Sequence, residues 1–467
     1  MNRTAPNLVW ITLESVRADH TPMGGYERDT TPTLSRLAAE DDTDWFGNCF
    51  AHARWTPAST ASMLTGTYLT THGVGLESGD VRRVPERLDT VPELLGEAGY
   101  QTACVSTNGY LSQATGLDRG FDRFLWPSKR DIPRNLSSVL QYAAKIRHHW
   151  KLPLDAKRRN LTFRVATDTA TRWLDSFRQS SDPFFLYMHY NNPHHPYSPP
   201  HPDLAEFLDD VDLTPSEAVD IAGRVSEDLW EVMADGCQLS DREWEALRAT
   251  YDAEIVAADR LVEEVLDHLE SLGMTNTVVV VTGDHGELFG EQGLLGHNLT
   301  LHDGLLHVPM VVRGLDGVGE RTGDIVQHVD VMQTILNRIG VSTDQFQGVD
   351  LTEEARQYAV AQRGPRTDDI ERLRSLNPSY DTSRFHEPML HTIRSLEYKY
   401  MKSADRAELF AVPDETTDVQ ADEPEVADRL DEALEQWLRT IDSGDVRGES
   451  AEFTDEMEDQ LRQLGYL

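Results

Sequence analysis

The stretch Asn7-Leu8-Val9-Trp10-Ile11-Thr12-Leu13-Glu14-Ser15 is an apolar, β-branched run of strand length that stops on a carboxylate. A second such run, Thr277-Val278-Val279-Val280-Val281-Thr282-Gly283, stops on Asp284-His285-Gly286-Glu287. Runs that are apolar throughout, rather than alternating, fit strands of a mostly parallel sheet buried on both faces. In an open α/β sheet, ligands bind at the carboxyl ends of the strands, so both runs deliver their polar residues to one edge. Adjacent Asp and His with a distant carboxylate make a plausible divalent-metal set. Taken alone, Glu14 reads equally as a plain strand-end carboxylate, and Asp284-His285 as a turn.

The rest of the chain follows the same rhythm. Further strand-like runs fall at 101–106, 183–190 and 308–313, and helical patterns at 32–40, 59–66, 161–178 and 243–271. Strands alternating with helices predict an α/β fold, a mostly parallel sheet flanked by helices on both faces. From about residue 346 the sequence turns polar and rich in Asp and Glu, with a short strand near Glu397-Tyr398-Lys399-Tyr400 and a helical stretch at 424–440. This predicts a catalytic domain over 1–345 and a small C-terminal α+β subdomain over 346–467.

Composition narrows the function. The 467 residues include 80 acidic and 43 basic side chains, for a formal net charge of -37. The only lysines are Lys129, Lys145, Lys151, Lys157, Lys399 and Lys402. An acidic, lysine-poor surface suits very high salt, where self-repulsion is screened, and points to a halophilic source. It argues against nucleic acid as partner, because phosphate backbones require a basic footprint. Cys49, Cys104 and Cys237 have neither disulfide nor zinc-finger spacing. No run of about 18 apolar residues occurs, so no membrane span is expected, and a cytoplasmic location is the expectation. Residues 127–160 form a basic island, read either as a solvated insertion or as a lid that attracts an anionic substrate.

Three further segments carry candidate chemistry. In Trp55-Thr56-Pro57-Ala58-Ser59-Thr60-Ala61-Ser62 the Thr56 hydroxyl lies near an expected helix N-terminus, whose free N–H groups suit an anion. Thr56 is also a common type of helix cap. The proline-rich Asn192-Pro193-His194-His195-Pro196-Tyr197 follows the strand Phe184-Phe185-Leu186-Tyr187-Met188-His189, and Gly296-His297 follows the Asp-His pair. His194 and His297 could contact non-bridging oxygens or protonate a leaving group. His302 and His307 have weaker claims; the alternation expects one of them to pack inside.

Together these pieces resemble the sulfatase family of the alkaline-phosphatase superfamily over nearly the whole chain. The matching stretches are Glu14-Ser15-Val16-Arg17-Ala18-Asp19-His20, Thr31-Pro32-Thr33-Leu34, Ala61-Ser62-Met63-Leu64-Thr65-Gly66 with His72-Gly73, and His194-His195-Pro196-Tyr197. Tyr251-Asp252-Ala253-Glu254, Asp284-His285-Gly286-Glu287, Val308-Pro309 and Glu408-Leu409-Phe410 complete the order. The resemblance implies the alkaline-phosphatase/sulfatase-like fold and a metal-dependent ester hydrolase or transferase with a covalent intermediate.

The departures are specific. Formylglycine sulfatases carry Cys (or Ser)-x-Pro-x-Arg, whereas this chain has Thr56-Pro57-Ala58-Ser59-Thr60, so formylglycine cannot form there. Their Gly-Lys-Trp-His element is replaced by Ser106-Thr107-Asn108-Gly109, and Glu14 stands where they carry aspartates. Glutamate, threonine, aspartate and histidine instead resemble the metal set of phosphoglycerol and phosphoethanolamine transferases such as lipoteichoic acid synthase, in which threonine is the nucleophile.

The resemblance therefore implies that Glu14, Thr56, Asp284 and His285 hold one divalent cation (Mn, Zn or Ca). It implies Thr56 as nucleophile, His194 and His297 as substrate-binding and catalytic residues, and a substrate contact from Asn108. Arg17 and Asp19 are expected to brace the loop after the first strand. The expected substrate is an anionic ester of a small molecule, glycan or lipid headgroup, with phosphate favoured chemically and sulfate as the alternative. A non-catalytic binding protein with a relic site stays open. A two-metal mutase would need a second ligand set, and in sequence the spare histidines show no carboxylate partners.

Overall fold

The computed structural model describes residues 5–77, 81–127, 154–208, 212–441 and 448–464. Most of the basic stretch 127–160, and with it the expected insertion or lid, lies outside these residues.

A seven-stranded sheet forms the centre. Its strands are β1 (Asn7–Leu13), β2 (Thr43–Trp45), β4 (Gln101–Ser106), β5 (Arg123–Leu125), β6 (Phe184–Tyr190), β7 (Thr277–Gly283) and β10 (Met310–Arg313); the short β3 (Asn48–Phe50), β8 (Leu288–Phe289) and β9 (Leu295–Gly296) lie outside it. The order is β2-β10-β7-β1-β6-β4-β5, parallel from β7 to β5, with β10 antiparallel to β7 and β2 antiparallel to β10. The run expected at 308–313 thus starts at Met310 and reverses direction at the sheet's edge.

The apolar runs are explained by two cores. Leu8, Trp10, Val278 and Val280 point into one face, while Val9, Ile11, Val279 and Val281 point into the other. Helix α1 (Pro32–Leu37) and the short helix α2 (Thr56–Thr65) precede the long helices α3 (Leu154–Phe177) and α4 (Asp241–Ser271). Ala58, Ala61, Met63 and Leu64 of α2 fill the first core, and Phe163, Ala170, Leu174, Ile255 and Val262 of α3 and α4 fill the second. Each strand position therefore meets a covering helix, which is why no polar alternation survives in the sequence.

Register sets the functional edge. Thr12 pairs with His189 on β6 and with Thr282 on β7, and Ser106 of β4 pairs with His189. The residues that follow these positions leave the sheet side by side at the carboxyl ends of four neighbouring strands. After β11 (Ile325–Gln327), the C-terminal part holds an antiparallel sheet of β12 (Ala359–Arg363), β13 (Leu390–Arg394), β14 (Tyr398–Lys402) and β15 (Ala407–Ala411). Helix α5 (Pro424–Thr440) packs on β13 and β14. The chain then returns to the main body: Ala451 N donates to Val81 O, and helix α6 (Asp455–Gln463) buries Leu461 in the first core. Among the described residues, no helix is long and apolar enough to cross a membrane. Cys49, Cys104 and Cys237 are free and buried.

Candidate active site

Glu14 follows β1 directly, and Asp284 follows β7. Both are buried, and with His189 their ligand atoms lie within 4.8 Å of one another. His189 Nε2 and Asn108 Nδ2 each donate to Glu14 Oε2 at 2.8 Å. Burial alone would raise the Glu14 carboxyl, but the His189 hydrogen bond and the nearby imidazoles of His194 and His189 hold it well below the usual range. His189 is raised in return: burial acts to lower it, but the hydrogen bond to Glu14 and the Glu14 and Asp284 charges together outweigh burial.

Asp284 Oδ1 accepts from Ser15 N (3.1 Å) and His285 N (2.8 Å). Ser15 takes φ of +64°, a left-handed conformation uncommon for serine, and Tyr251 Oη donates to its carbonyl at 2.6 Å. The turn after β1 is thereby fixed with its N–H aimed at Asp284. Burial raises the Asp284 carboxyl, and its Oδ2 makes no hydrogen bond among the described residues.

Thr56 joins this group through His285. Trp55 is the capping residue of α2, so Thr56 is the first helical residue rather than the cap, and Pro57 sits in the first turn where its missing N–H costs nothing. The helix starts earlier than the expected 59 for that reason. His285 Nδ1 donates to Gly286 O at 2.8 Å, which leaves the Nε2 lone pair facing the Thr56 hydroxyl 3.3 Å away. His285 Nε2 also lies 3.7 Å from Asp284 Oδ2.

A second cluster sits alongside. His194, His195 and His297 are buried with ligand atoms within 4.8 Å of one another, and the His297 ring centroid lies 5.0 Å from that of His194 and 4.9 Å from that of His285. His194 Nε2 is 3.8 Å from Glu14 Oε1, so the two clusters are contiguous. Burial, reinforced by neighbouring imidazoles, holds His194 and His297 well below the usual histidine range. His297 Nδ1 bonds Glu287 Oε1 at 3.2 Å, and burial pushes the Glu287 carboxyl up to about 7 against the pull of His195 and His285.

The histidines therefore do have carboxylate partners, His189 with Glu14 and His297 with Glu287, contrary to the sequence expectation. His189 and Glu287 were not singled out as site residues, and neither was Arg54, which is buried and donates to His297 O. A polar residue closing the apolar run Phe184–His189 was the one sequence signal for His189. His302 and His307 are both half-buried: His302 accepts from Gly304 N, and His307 bonds Gly47 O and stacks on Phe50. Arg17 forks onto Asp19 at 2.7–2.8 Å and reaches Glu291 at 2.6 Å, bracing the loop as expected. Glu254 accepts from Ser198 N (2.7 Å) and from Asn192, which holds the His194 loop to α4.

Two buried carboxylates this close, one with an orphaned oxygen, fit a divalent cation better than an empty polar void. Oxygen donors from Glu14, Asp284 and Thr56 with an imidazole nitrogen from His285 would make a mixed set, and such a set would suit Mn or Zn and admit Ca.

The family model for Sulfatase matches residues 6–341. Arylsulfatase K of Bos taurus is 27% identical over 301 residues, 57% of this chain and 53% of the relative, so the chain spans about half that protein's length. The low-salt glycan biosynthesis sulfotransferase Agl7 of Haloferax volcanii is 41% identical over 98 residues, 20% of this chain and 24% of that protein. The phosphonate monoester hydrolase of Agrobacterium radiobacter shares the fold with a TM-score of 0.71 at 22% identity, covering 93% of this chain and 95% of the other. With the family match spanning the strand-end carboxylates, the Thr56 helix and the histidine loops, the chain belongs to the sulfatase family.

Proposed function

We propose that this chain is a metal-dependent hydrolase or transferase of sulfate or phosphate esters, with Thr56 as the nucleophile. The observation that carries the reading is the meeting of Glu14, Asp284 and, through His285, the Thr56 hydroxyl at one buried sheet edge. Glu14, Thr56, Asp284 and His285 would hold one divalent cation. Such a cation, when bound, supplies a lowered hydroxyl pKa and offsets charge on the ester's non-bridging oxygens.

The chain's own groups divide the remaining work. Thr56, its hydroxyl proton lost to water, forms through Oγ the new bond to sulfur or phosphorus as the bond to the alcohol oxygen breaks, and that oxygen leaves with the electron pair and takes up a proton. His194 and His297, neutral in the buried site, gain protons more readily beside an incoming anion, because opposite charge favours the imidazolium. Each can then donate to a non-bridging oxygen or to the leaving oxygen. Asn108 holds Glu14 in place by its 2.8 Å hydrogen bond. Water, or an acceptor alcohol, next attacks sulfur or phosphorus and releases the Thr56 oxygen. A phosphate ester is chemically favoured: water can resolve a threonyl phosphate, whereas threonine lacks the second hydroxyl by which a formylglycine hydrate expels sulfate.

Sulfate transfer to or from a glycan is a second reading, supported by the 41% identity to the Haloferax glycan-biosynthesis sulfotransferase over 98 residues. The acidic composition supports work in high salt. A parallel assay in molar salt with added Mn, Zn or Ca, on an aryl sulfate, a phosphate monoester and a phosphate diester, tests both. Turnover of a phosphoester that disappears on chelation supports the first reading. Robust sulfate turnover with negligible phosphoesterase activity overturns the phosphate preference, and no turnover of any ester or transfer to an added sugar overturns the reaction.

A further inference from the structure

Outside the reacting group, the most unusual side chain is Arg366. It is 1% exposed, at the end of the loop that follows β12, and its backbone N–H is tied to Glu387 O at 2.8 Å. Nη1 lies 3.6 Å from Asp369 Oδ2, while Nε and Nη2 make no hydrogen bond among the described residues. Asp369 faces Nη1 alone, so the buried Nε and Nη2 donors destabilise the fold unless a further anion meets them. Burial lowers this guanidinium from its ordinary value, the sign of a charge short of partners.

The surroundings tie Arg366 to the reaction centre. Gly364, two residues before it, lies so close to Leu76 that an added Cβ would stand 1.6 Å from the Leu76 carbonyl oxygen. Trp55 Nε1 donates to the neighbouring Gly75 O at 3.0 Å, and the next residue is the nucleophile Thr56. Arg54 stacks over Trp55 at 5.3 Å and donates to His297 O. Arg363 donates to Leu299 O at 2.8 Å, two residues beyond His297. Two buried arginines, Arg54 and Arg363, thus hold the carbonyls of the loop carrying His297, and the buried Arg366 follows Arg363 by three residues. In a chain of net charge -37, buried basic groups so close together stand out.

We propose that Arg366, within the positive field of Arg54 and Arg363, forms a second anion subsite beside His297 that binds a further negative group on the substrate, carried by the moiety beyond the scissile ester. The ligand chemistry is a carboxylate or a second sulfate or phosphate, matched by the planar fork of the guanidinium. This deepens the reading of Thr56 as the reacting residue by naming the substrate class as an ester with at least two anionic groups.

Binding, not turnover, tests it, so that the subsite and the reaction can fail separately. In the Thr56→Ala full-length chain, calorimetric titration compares three probes: a monosulfated methyl glucoside, the same sulfate ester of methyl glucuronide, and a disulfated methyl glucoside. We expect the carboxylate or the second sulfate to tighten binding tenfold or more, and whichever does so identifies the source of the anion. The preference should fall to within twofold in Arg366→Gln and be partly retained in Arg366→Lys, which keeps the charge without the fork. Equal affinity for all three probes overturns the proposal. So does a preference that survives in Arg366→Gln with an unchanged melting temperature. Should Arg366→Gln fail to fold, a preference undiminished in Arg366→Lys counts against it as well.

Discussion

The Thr56 hydroxyl lies 3.3 Å from Nε2 of His285, whose other ring nitrogen is committed to the Gly286 carbonyl. Strand β7 and helix α2 are remote in sequence, and this contact joins them at the point where an ester would be attacked. In the proposed reaction this threonine, at the first position of a helix and facing an imidazole lone pair, serves as nucleophile and metal ligand, two roles that are compatible.

Thr56→Ala should therefore lower turnover of any ester substrate by about 10³-fold or more, as removal of a nucleophile does. Its melting temperature should change little, because the alanine keeps the helix start and α2 remains packed in the core. Thr56→Ser, which keeps the hydroxyl, should retain part of the rate. Steady-state kinetics of the two variants decides the matter, and an alanine variant as active as the parent removes Thr56 from the mechanism.

Asp284→Ala should abolish tight binding of a divalent cation. The parent should gain thermal stability with added Mn, Zn or Ca, because a ligand bound only by the folded state stabilises it by mass action, about 2.7 kcal/mol at a hundredfold excess over Kd. Elemental analysis of dialysed protein and melting curves with and without chelator report this directly. Equal metal content in parent and variant would sink the metal site.

These predictions rest on residues whose legibility differed. Glu14 and Asp284 were readable because an apolar strand that stops on a carboxylate announces its carboxyl end, and parallel topology sends both ends to one edge. His189 was hidden inside such a run: Phe184–His189 reads as one apolar strand, and only the pairing of His189 with Thr12 brings it to Glu14. Register between distant strands is a tertiary property that periodicity does not carry. Glu287 stood in a quoted motif, yet its role depends on His297 folding back onto it. Arg366 lay in a segment that reads as a polar C-terminal region, and nothing local distinguishes a buried arginine from a solvated one.

The returning C-terminal helix supports the loop that carries Asn108. Gln460 Nε2 donates to Thr107 O at 2.8 Å, and Trp126 Nε1 donates to Gln460 Oε1 at 3.1 Å, one residue from the Asn108 that holds Glu14. Gly109 sits where an added Cβ would stand 3.0 Å from Gln460 Oε1, so the loop and helix are closely fitted. Gln460→Ala should cost about 1–2 kcal/mol of stability through the lost hydrogen bonds. It should also lower kcat/KM by roughly tenfold through a loosened Asn108. A stability loss with unchanged kinetics would confine Gln460 to packing.

Lys399 ties the C-terminal sheet to the catalytic body, and its removal should leave a signature in pH. Its Nζ, fully buried, donates to Asp303 Oδ1 at 2.7 Å and Glu415 Oε2 at 2.8 Å, and Arg394 Nε donates to Asp303 Oδ2 at 2.8 Å. Burial opposes ionisation of Asp303, but the Lys399 and Arg394 charges carry its carboxyl well below the usual range. An acid depressed in the folded state contributes stability above its unfolded value, near 3.9, and that contribution is lost as pH falls toward the folded value. Lys399→Met removes both bonds and leaves the buried Glu415 carboxylate without its lysine, while Asp303 keeps Arg394, at a cost of about 3–5 kcal/mol at neutral pH. Burial already raises the Glu415 carboxyl against the pull of Lys399; in the variant that pull is gone, so Glu415 rises further and its protonation relieves the uncompensated charge. The stability deficit of Lys399→Met should therefore shrink steadily as pH is lowered from 7 toward 4. Denaturant titrations of parent and variant across that range measure it, and a deficit independent of pH would show that Lys399 acts through packing alone.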